Sequence, residues 1–146
     1  MRVAFAGSPA PAIPVLEALV ESAHEVALVV SQPDRHRGRR GGPQPTPVAA
    51  WALEREIPVM RPDSINAEDA LARLRDARVG ALAVAAFGQL LKSDLLDGWP
   101  CINVHYSLLP AYRGAAPVER AIMDGRERSG VTIMQMDPGL DTGPII

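Results

Sequence analysis

Short apolar runs alternate along this chain with longer stretches in which apolar and charged positions recur every three or four residues. Val3, Ala4, Phe5 and Ala6 form one such run, and Val26, Ala27, Leu28, Val29 and Val30 form another. Both are too short for a buried helix and suit strands covered on both faces. The pattern predicts strands over residues 2–6, 25–30, 58–60, 81–86, 102–105 and 131–135. The helical period predicts helices over 13–22, 47–56, 68–77 and 117–124, the third with Leu71, Leu74 and Ala77 on one side and charges on the other. Strand and helix taking turns in this way implies a doubly wound, mostly parallel sheet with helices on both faces and right-handed crossovers. Such an α/β sheet receives ligands at the carboxyl ends of its strands.

Two stretches break the regular pattern. Residues 32–47 carry Arg35, Arg37, Arg39 and Arg40 among glycines and prolines with no apolar period, which predicts a mobile basic loop. Residues 107–117 hold Pro110, Gly114 and Pro117 around Tyr112 and Arg113, directly after a predicted strand, where active-site loops of α/β sheets belong. Tyr112 and Arg113 either brace that loop or contact a substrate. The last residues, Gly143, Pro144, Ile145 and Ile146, have the look of a further apolar element, so a fragment whose sheet continues beyond it is expected.

Composition narrows the class. A length of 146 residues with 47% hydrophobic and 22% charged positions is that of one folded globular domain. The formal net charge of -2 speaks against a general nucleic-acid binder or a membrane-surface protein, so any contact with a polyanion must come from a local patch. Cys101 is the single cysteine, which excludes an internal disulfide and a cysteine-built metal cluster. It is expected to be a small buried apolar residue. No basic segment followed by a long apolar run opens the chain, and the expected compartment is the cytoplasm.

The candidate chemistry gathers near the end of the chain. Asn103 and His105 stand two apart on a predicted strand, so they point to one face and can converge on one ligand. A pair like this is equally compatible with a hydrogen-bonded structural role. Asp141 lies in the tight segment 137–143 just past the last predicted strand, and is expected at the same edge of the sheet, although an aspartate there also suits a turn that bonds its own backbone. An amide, an imidazole and a carboxylate together suit acyl transfer between nitrogens, with donors for a tetrahedral oxyanion and a carboxylate that orients the imidazole. The first strand is followed by Gly7, Ser8 and Pro9 instead of the glycine-rich dinucleotide fingerprint, which leaves little support for a nucleotide-binding module without catalysis.

The run Cys101-Ile102-Asn103-Val104-His105-Tyr106-Ser107-Leu108-Leu109-Pro110-Ala111-Tyr112-Arg113-Gly114 resembles the signature of the folate-dependent formyltransferase family. So do residues 3–9, 32–35, 45–48, 86–89, 114–117 and 130–137, and across the chain the likeness is to the members that act on methionyl-tRNA. Tyr106 departs from the proline or small residue common after the family's histidine, and the first loop, residues 8–12, carries extra proline and lacks the aromatic and acidic residues common there.

The resemblance implies a Rossmann-like formyltransferase fold. Residues 1–146 would form an incomplete catalytic domain, with a C-terminal β-barrel domain for tRNA outside this chain. It implies catalytic roles for Asn103, His105 and Asp141, and a folate site at Phe87, Gly88, Leu90, Ser107, Leu108, Leu109, Pro110 and Asp137. Arg35, Arg37, Arg39 and Arg40 would meet tRNA, where clustered guanidiniums can neutralise phosphates. The implied reaction moves a formyl group from 10-formyltetrahydrofolate to the amino group of initiator methionyl-tRNA in translation initiation, without a metal or a membrane, by a protein that is monomeric at full length. A family member acting on a small amine would keep the same trio and differ in its loops.

Overall fold

The computed structural model describes residues 1–36 and 42–146. A six-stranded sheet forms its centre. Its strands are β1 (Arg2–Gly7), β2 (Glu25–Val30), β5 (Val59–Met60), β6 (Ala81–Ala85), β7 (Cys101–His105) and β8 (Thr132–Gln135), in the order β5-β2-β1-β6-β7-β8. Every pairing in this sheet is parallel except β7 with β8, which is antiparallel. The direction of winding reverses between β1 and β6, the place where doubly wound sheets open a crevice.

The two faces of the sheet build two cores. On one face Ala4, Ala6, Leu28, Val30, Leu82, Val84 and Cys101 pack with Leu71 and Leu74 of α3 (Glu68–Asp76) and Leu95 of α4 (Ser93–Gly98). On the other, Phe5, Val29 and Ala85 meet Leu16 of α1 (Ile13–Val20) and Val48 and Ala52 of α2 (Pro47–Leu53). Side chains of a strand alternate between faces, so the unbroken apolar run of β1 feeds both cores at once. The start of α2 is fixed by Thr46, whose hydroxyl accepts from the Ala49 amide at 3.2 Å, with Pro47 in the first turn where a missing N–H costs nothing. In α3 the acidic Glu68 and Asp69 stand at the N-terminus and Arg73 and Arg75 at the C-terminus, the arrangement the helix dipole favours. No helix among the described residues is long and apolar enough to cross a membrane.

Several sequence expectations change. Of the stretch 32–47, expected as a mobile basic loop, the described residues hold a short antiparallel pair, β3 (Arg35–His36) with β4 (Pro43–Gln44), and residues 37–41 lie outside the described residues. Two residues per strand, one of them proline, leave no period to read. Helix α4 was not expected, because six residues with one fully buried leucine fall below any helical period. The last helix, α5 (Pro117–Met123), follows the loop after β7 as expected.

Candidate active site

Cys101, Asn103 and His105 share one face of β7. Cys101 lies in the apolar core, Asn103 is half-buried, and His105 at the carboxyl end is 7% exposed. One face of one strand therefore runs from core to chemistry within five residues. A cavity of about 430 Å³ opens there, at the carboxyl ends of β6 and β7, a volume within the ~300–1,000 Å³ usual for small-molecule sites. Val84, Phe87, Leu91 and Met136 make an apolar wall, and Asn103, His105, Asp137 and Asp141 a polar one.

Asp141 reaches this cavity, though not by the expected route. Because β8 runs antiparallel to β7, the Met136 amide bonds the Cys101 carbonyl at 2.8 Å, beside the start of β7. The segment 137–141 then folds back along the sheet, a rise of about 13 Å over four strand residues, and brings Asp141 Oδ2 to 3.6 Å from His105 Nδ1. The expectation that Asp141 sits at the same edge because it follows the last strand is corrected: the strand ends at the other edge, and the loop makes up the difference. Asp137 organises that loop. Its carboxylate accepts from the Gly139 amide at 3.0 Å and from the Thr142 hydroxyl at 2.9 Å. Asp141 itself adopts a left-handed backbone with φ 50, which aspartate tolerates better than most residues, and its Oδ2 accepts from the Gly114 amide at 2.7 Å.

His105 is held from its other side. Nε2 lies 2.9 Å from the Tyr112 carbonyl, which can only accept, so Nε2 carries the hydrogen. The ring is thus fixed between a backbone carbonyl and a carboxylate, with Nδ1 toward Asp141. At 3.6 Å the carboxylate acts on Nδ1 through charge more than through a direct hydrogen bond.

The wall after β6 is tied down by residues that sequence reasoning did not single out. Gln89 accepts from the Ile65 amide at 2.7 Å and donates to the Pro62 carbonyl at 3.1 Å. Asn66 donates to the Leu90 carbonyl and accepts from the Lys92 amide. Ser8 and Gln32 both donate to the Phe87 carbonyl, at 3.1 and 3.0 Å. The signal for such residues is faint, since a half-buried amide in a loop has no periodic neighbours.

The expected folate residues separate into two groups. Phe87, Gly88, Leu90 and Asp137 line the cavity, Phe87 buried and Leu90 70% exposed. Ser107, Leu108, Leu109 and Pro110 do not. Ser107 is buried with its hydroxyl on the Ala111 carbonyl, the Leu109 amide bonds Thr132 Oγ1, and Leu108 faces a separate cleft beside Tyr112 and Arg126. Tyr106 sends its hydroxyl to the Pro11 carbonyl at 2.9 Å, and burial pushes that hydroxyl up from its ordinary 10.0. Arg35 is exposed beside a neighbouring cleft of about 310 Å³ and donates to Gln32, while Arg37, Arg39 and Arg40 lie outside the described residues.

Comparison with known proteins identifies the family. A methionyl-tRNA formyltransferase from Mycobacterium sp. strain KMS is 49% identical over 150 residues, taking in 99% of this chain and 48% of the relative. Another, from Heliobacterium modesticaldum, is 50% identical across 100% of this chain and 46% of its own length. The chain spans about half the length of the curated relatives it matches. Among solved structures, phosphoribosylglycinamide formyltransferase from Bacillus halodurans has a TM-score of 0.78 at 29% identity, with 100% of this chain and 77% of that one covered. A sugar N-formyltransferase from Shewanella sp. FDAARGOS_354 has a TM-score of 0.68 at 19% identity over 100% of this chain and 55% of its own, a likeness of fold alone. The profile of the formyl transferase family matches residues 1–146 throughout, and the chain belongs to that family.

Proposed function

We propose that this chain carries the formyl-transfer centre of an enzyme that moves the formyl group of 10-formyltetrahydrofolate to the amino group of initiator methionyl-tRNA. The observation that carries the reading is the meeting of Asn103, His105 and Asp141 at one cavity with an apolar wall. The likeness of about half of all positions to methionyl-tRNA formyltransferases, against 29% to a phosphoribosylglycinamide enzyme, favours the tRNA-borne amine.

The pterin would lie against Val84, Phe87 and Leu90, with Gly88 and the Asp137 loop at its edges. The neutral amine attacks the formyl carbon, forming a C–N bond while the carbonyl pair moves onto oxygen. Asn103 and a protonated Nδ1 of His105 donate to that oxyanion, which is where preorganised donors contribute most. Collapse restores the carbonyl and breaks the bond to the folate nitrogen. The proton lost by the attacking amine passes through the Asp141 and His105 pair to that nitrogen, releasing tetrahydrofolate and the formylated aminoacyl-tRNA. The carboxylate holds the ring and offsets its charge, and no covalent enzyme intermediate is needed. Arg35, Arg37, Arg39 and Arg40 would hold the phosphates of the acceptor end.

The test compares acceptors. The full-length polypeptide is given 10-formyltetrahydrofolate with initiator methionyl-tRNA, or with a glycinamide ribonucleotide or amino sugar. Transfer to the tRNA alone is expected; transfer to a small amine alone replaces this reading with a small-amine formyltransferase.

A further inference from the structure

We infer that Tyr112, Asp124 and Arg126 form a clamp that positions His105 for formyl transfer, an inference that rests on the function proposed above. Tyr112 meets the histidine only through its backbone, where the carbonyl accepts from Nε2 at 2.9 Å. To aim that carbonyl, Tyr112 adopts a left-handed backbone with φ 58, a conformation that an L side chain rarely takes and that persists where surrounding contacts fix it.

The phenol supplies those contacts. Tyr112 Oη donates to Asp124 Oδ2 at 2.8 Å and accepts from Arg126 Nε at 2.8 Å, which fills both its donor and its acceptor roles. Asp124 and Arg126 flank Gly125, whose φ of 64 closes the turn at the end of α5. The Asp124 and Gly125 amides and the Arg126 amide all bond carbonyls of α5, so the turn is a continuation of that helix. Arg120, one turn earlier on α5, donates to the Arg113 carbonyl. One residue after Arg113, the Gly114 amide holds Asp141. Three successive residues thus connect the helix to both ionisable partners: Tyr112 to His105, Arg113 to α5, and Gly114 to Asp141. The phenol network is exposed, and Tyr112 and Arg126 line a separate cleft with Leu108 and Arg128. None of its three side chains lines the cavity where substrate would sit, so they act as positioning residues.

The test uses the full-length polypeptide with Tyr112→Phe, Asp124→Asn, Arg126→Met and Arg126→Lys. Two readouts are taken: the kcat and KM split for both substrates, and the imidazole Nε2–H signal of His105 by NMR without any substrate. Tyr112→Phe, Asp124→Asn and Arg126→Met are expected to lower kcat on the order of tenfold, to leave each KM within about twofold, and to speed exchange of the His105 Nε2 proton. Arg126→Lys keeps a donor to the phenol and is expected to recover most of kcat. Adding Tyr112→Phe to His105→Ala should cost nothing further, because the clamp acts through the ring. Loss of thermal stability in Tyr112→Phe with kcat and the imidazole signal unchanged overturns the clamp, as does a full additional loss in the His105→Ala background. If no protein transfers formyl groups yet the imidazole signal responds as described, the clamp stands and the formyl-transfer reading falls.

Discussion

Asp141 Oδ2 lies 3.6 Å from His105 Nδ1, although the strand that precedes Asp141 ends beside the opposite end of the strand that bears His105. The pair exists because the 137–143 loop folds back, held by Asp137 within and by Gly114 at its tip. The geometry of this pair depends on a loop being correctly bent, and the bend can be tested separately from the charge.

Asp141→Asn keeps an acceptor for the Gly114 amide and a residue that tolerates the left-handed backbone, but removes the charge beside His105. The expected result is an unchanged melting temperature with kcat lower by roughly 100- to 10,000-fold. Asp141→Ala also loses the acceptor, and should cost about 1–3 kcal/mol of stability in denaturant titration.

Gly143→Ala tests the bend. A Cβ at Gly143 would run into the backbone carbonyl of Gln135, so the loop must open where it leaves β8. Carried along the loop, that movement takes Asp141 away from His105. The expected outcome is a fall in kcat on the order of 100-fold, with Gly98→Ala, where a Cβ meets nothing within 4 Å, as the neutral comparison.

How much of this was open to reading from residues alone differs by element. Strand β2 runs Glu25–Val30 as its apolar run implies, and β1, β6 and β7 fall within a residue of expectation, because strands buried on both faces announce themselves. Asn103 and His105 were legible as a pair because β spacing alone puts them on one face. The tie between His105 and Tyr112 was not, since a backbone carbonyl leaves no trace in residue type. The antiparallel sense of β8 was equally hidden: its four residues read the same in either direction, and only the pairing of His105 with Thr132 and Ile102 with Gln135 shows it. Ser107 to Pro110 looked like site residues by position, but the turn after His105 carries them away from the cavity.

Gln89→Ala removes two of the bonds that hold the wall after β6, one to the Ile65 amide and one to the Pro62 carbonyl. Each such bond contributes about 1 kcal/mol, so a loss of about 2 kcal/mol is expected in equilibrium denaturation. Since Phe87, Gly88 and Leu90 belong to this wall, the KM for the formyl donor should rise several-fold more than kcat falls; an unchanged donor KM in a folded variant would place the donor elsewhere.

Burial pushes the Cys101 thiol from its ordinary 9.0 up to about 12. The unfolded chain releases this proton near pH 9 while the folded chain keeps it to about 12. Below 9 both states hold the proton and its contribution to stability is intact; between 9 and 12 that contribution is lost. Wild type should therefore lose stability relative to Cys101→Ala as pH rises through this window, measured by denaturant titration at several pH values. In the native protein at pH 8 the thiol should resist an aromatic disulfide reagent, and react once unfolded.

The most direct measurement is single-turnover formyl transfer by the full-length polypeptide carrying His105→Ala or Asn103→Ala, with 10-formyltetrahydrofolate binding measured in parallel. Rates lower by on the order of 100-fold or more are expected, with donor affinity within a few-fold of wild type. A folded His105→Ala protein that transfers the formyl group at close to the wild-type rate would contradict the proposed function.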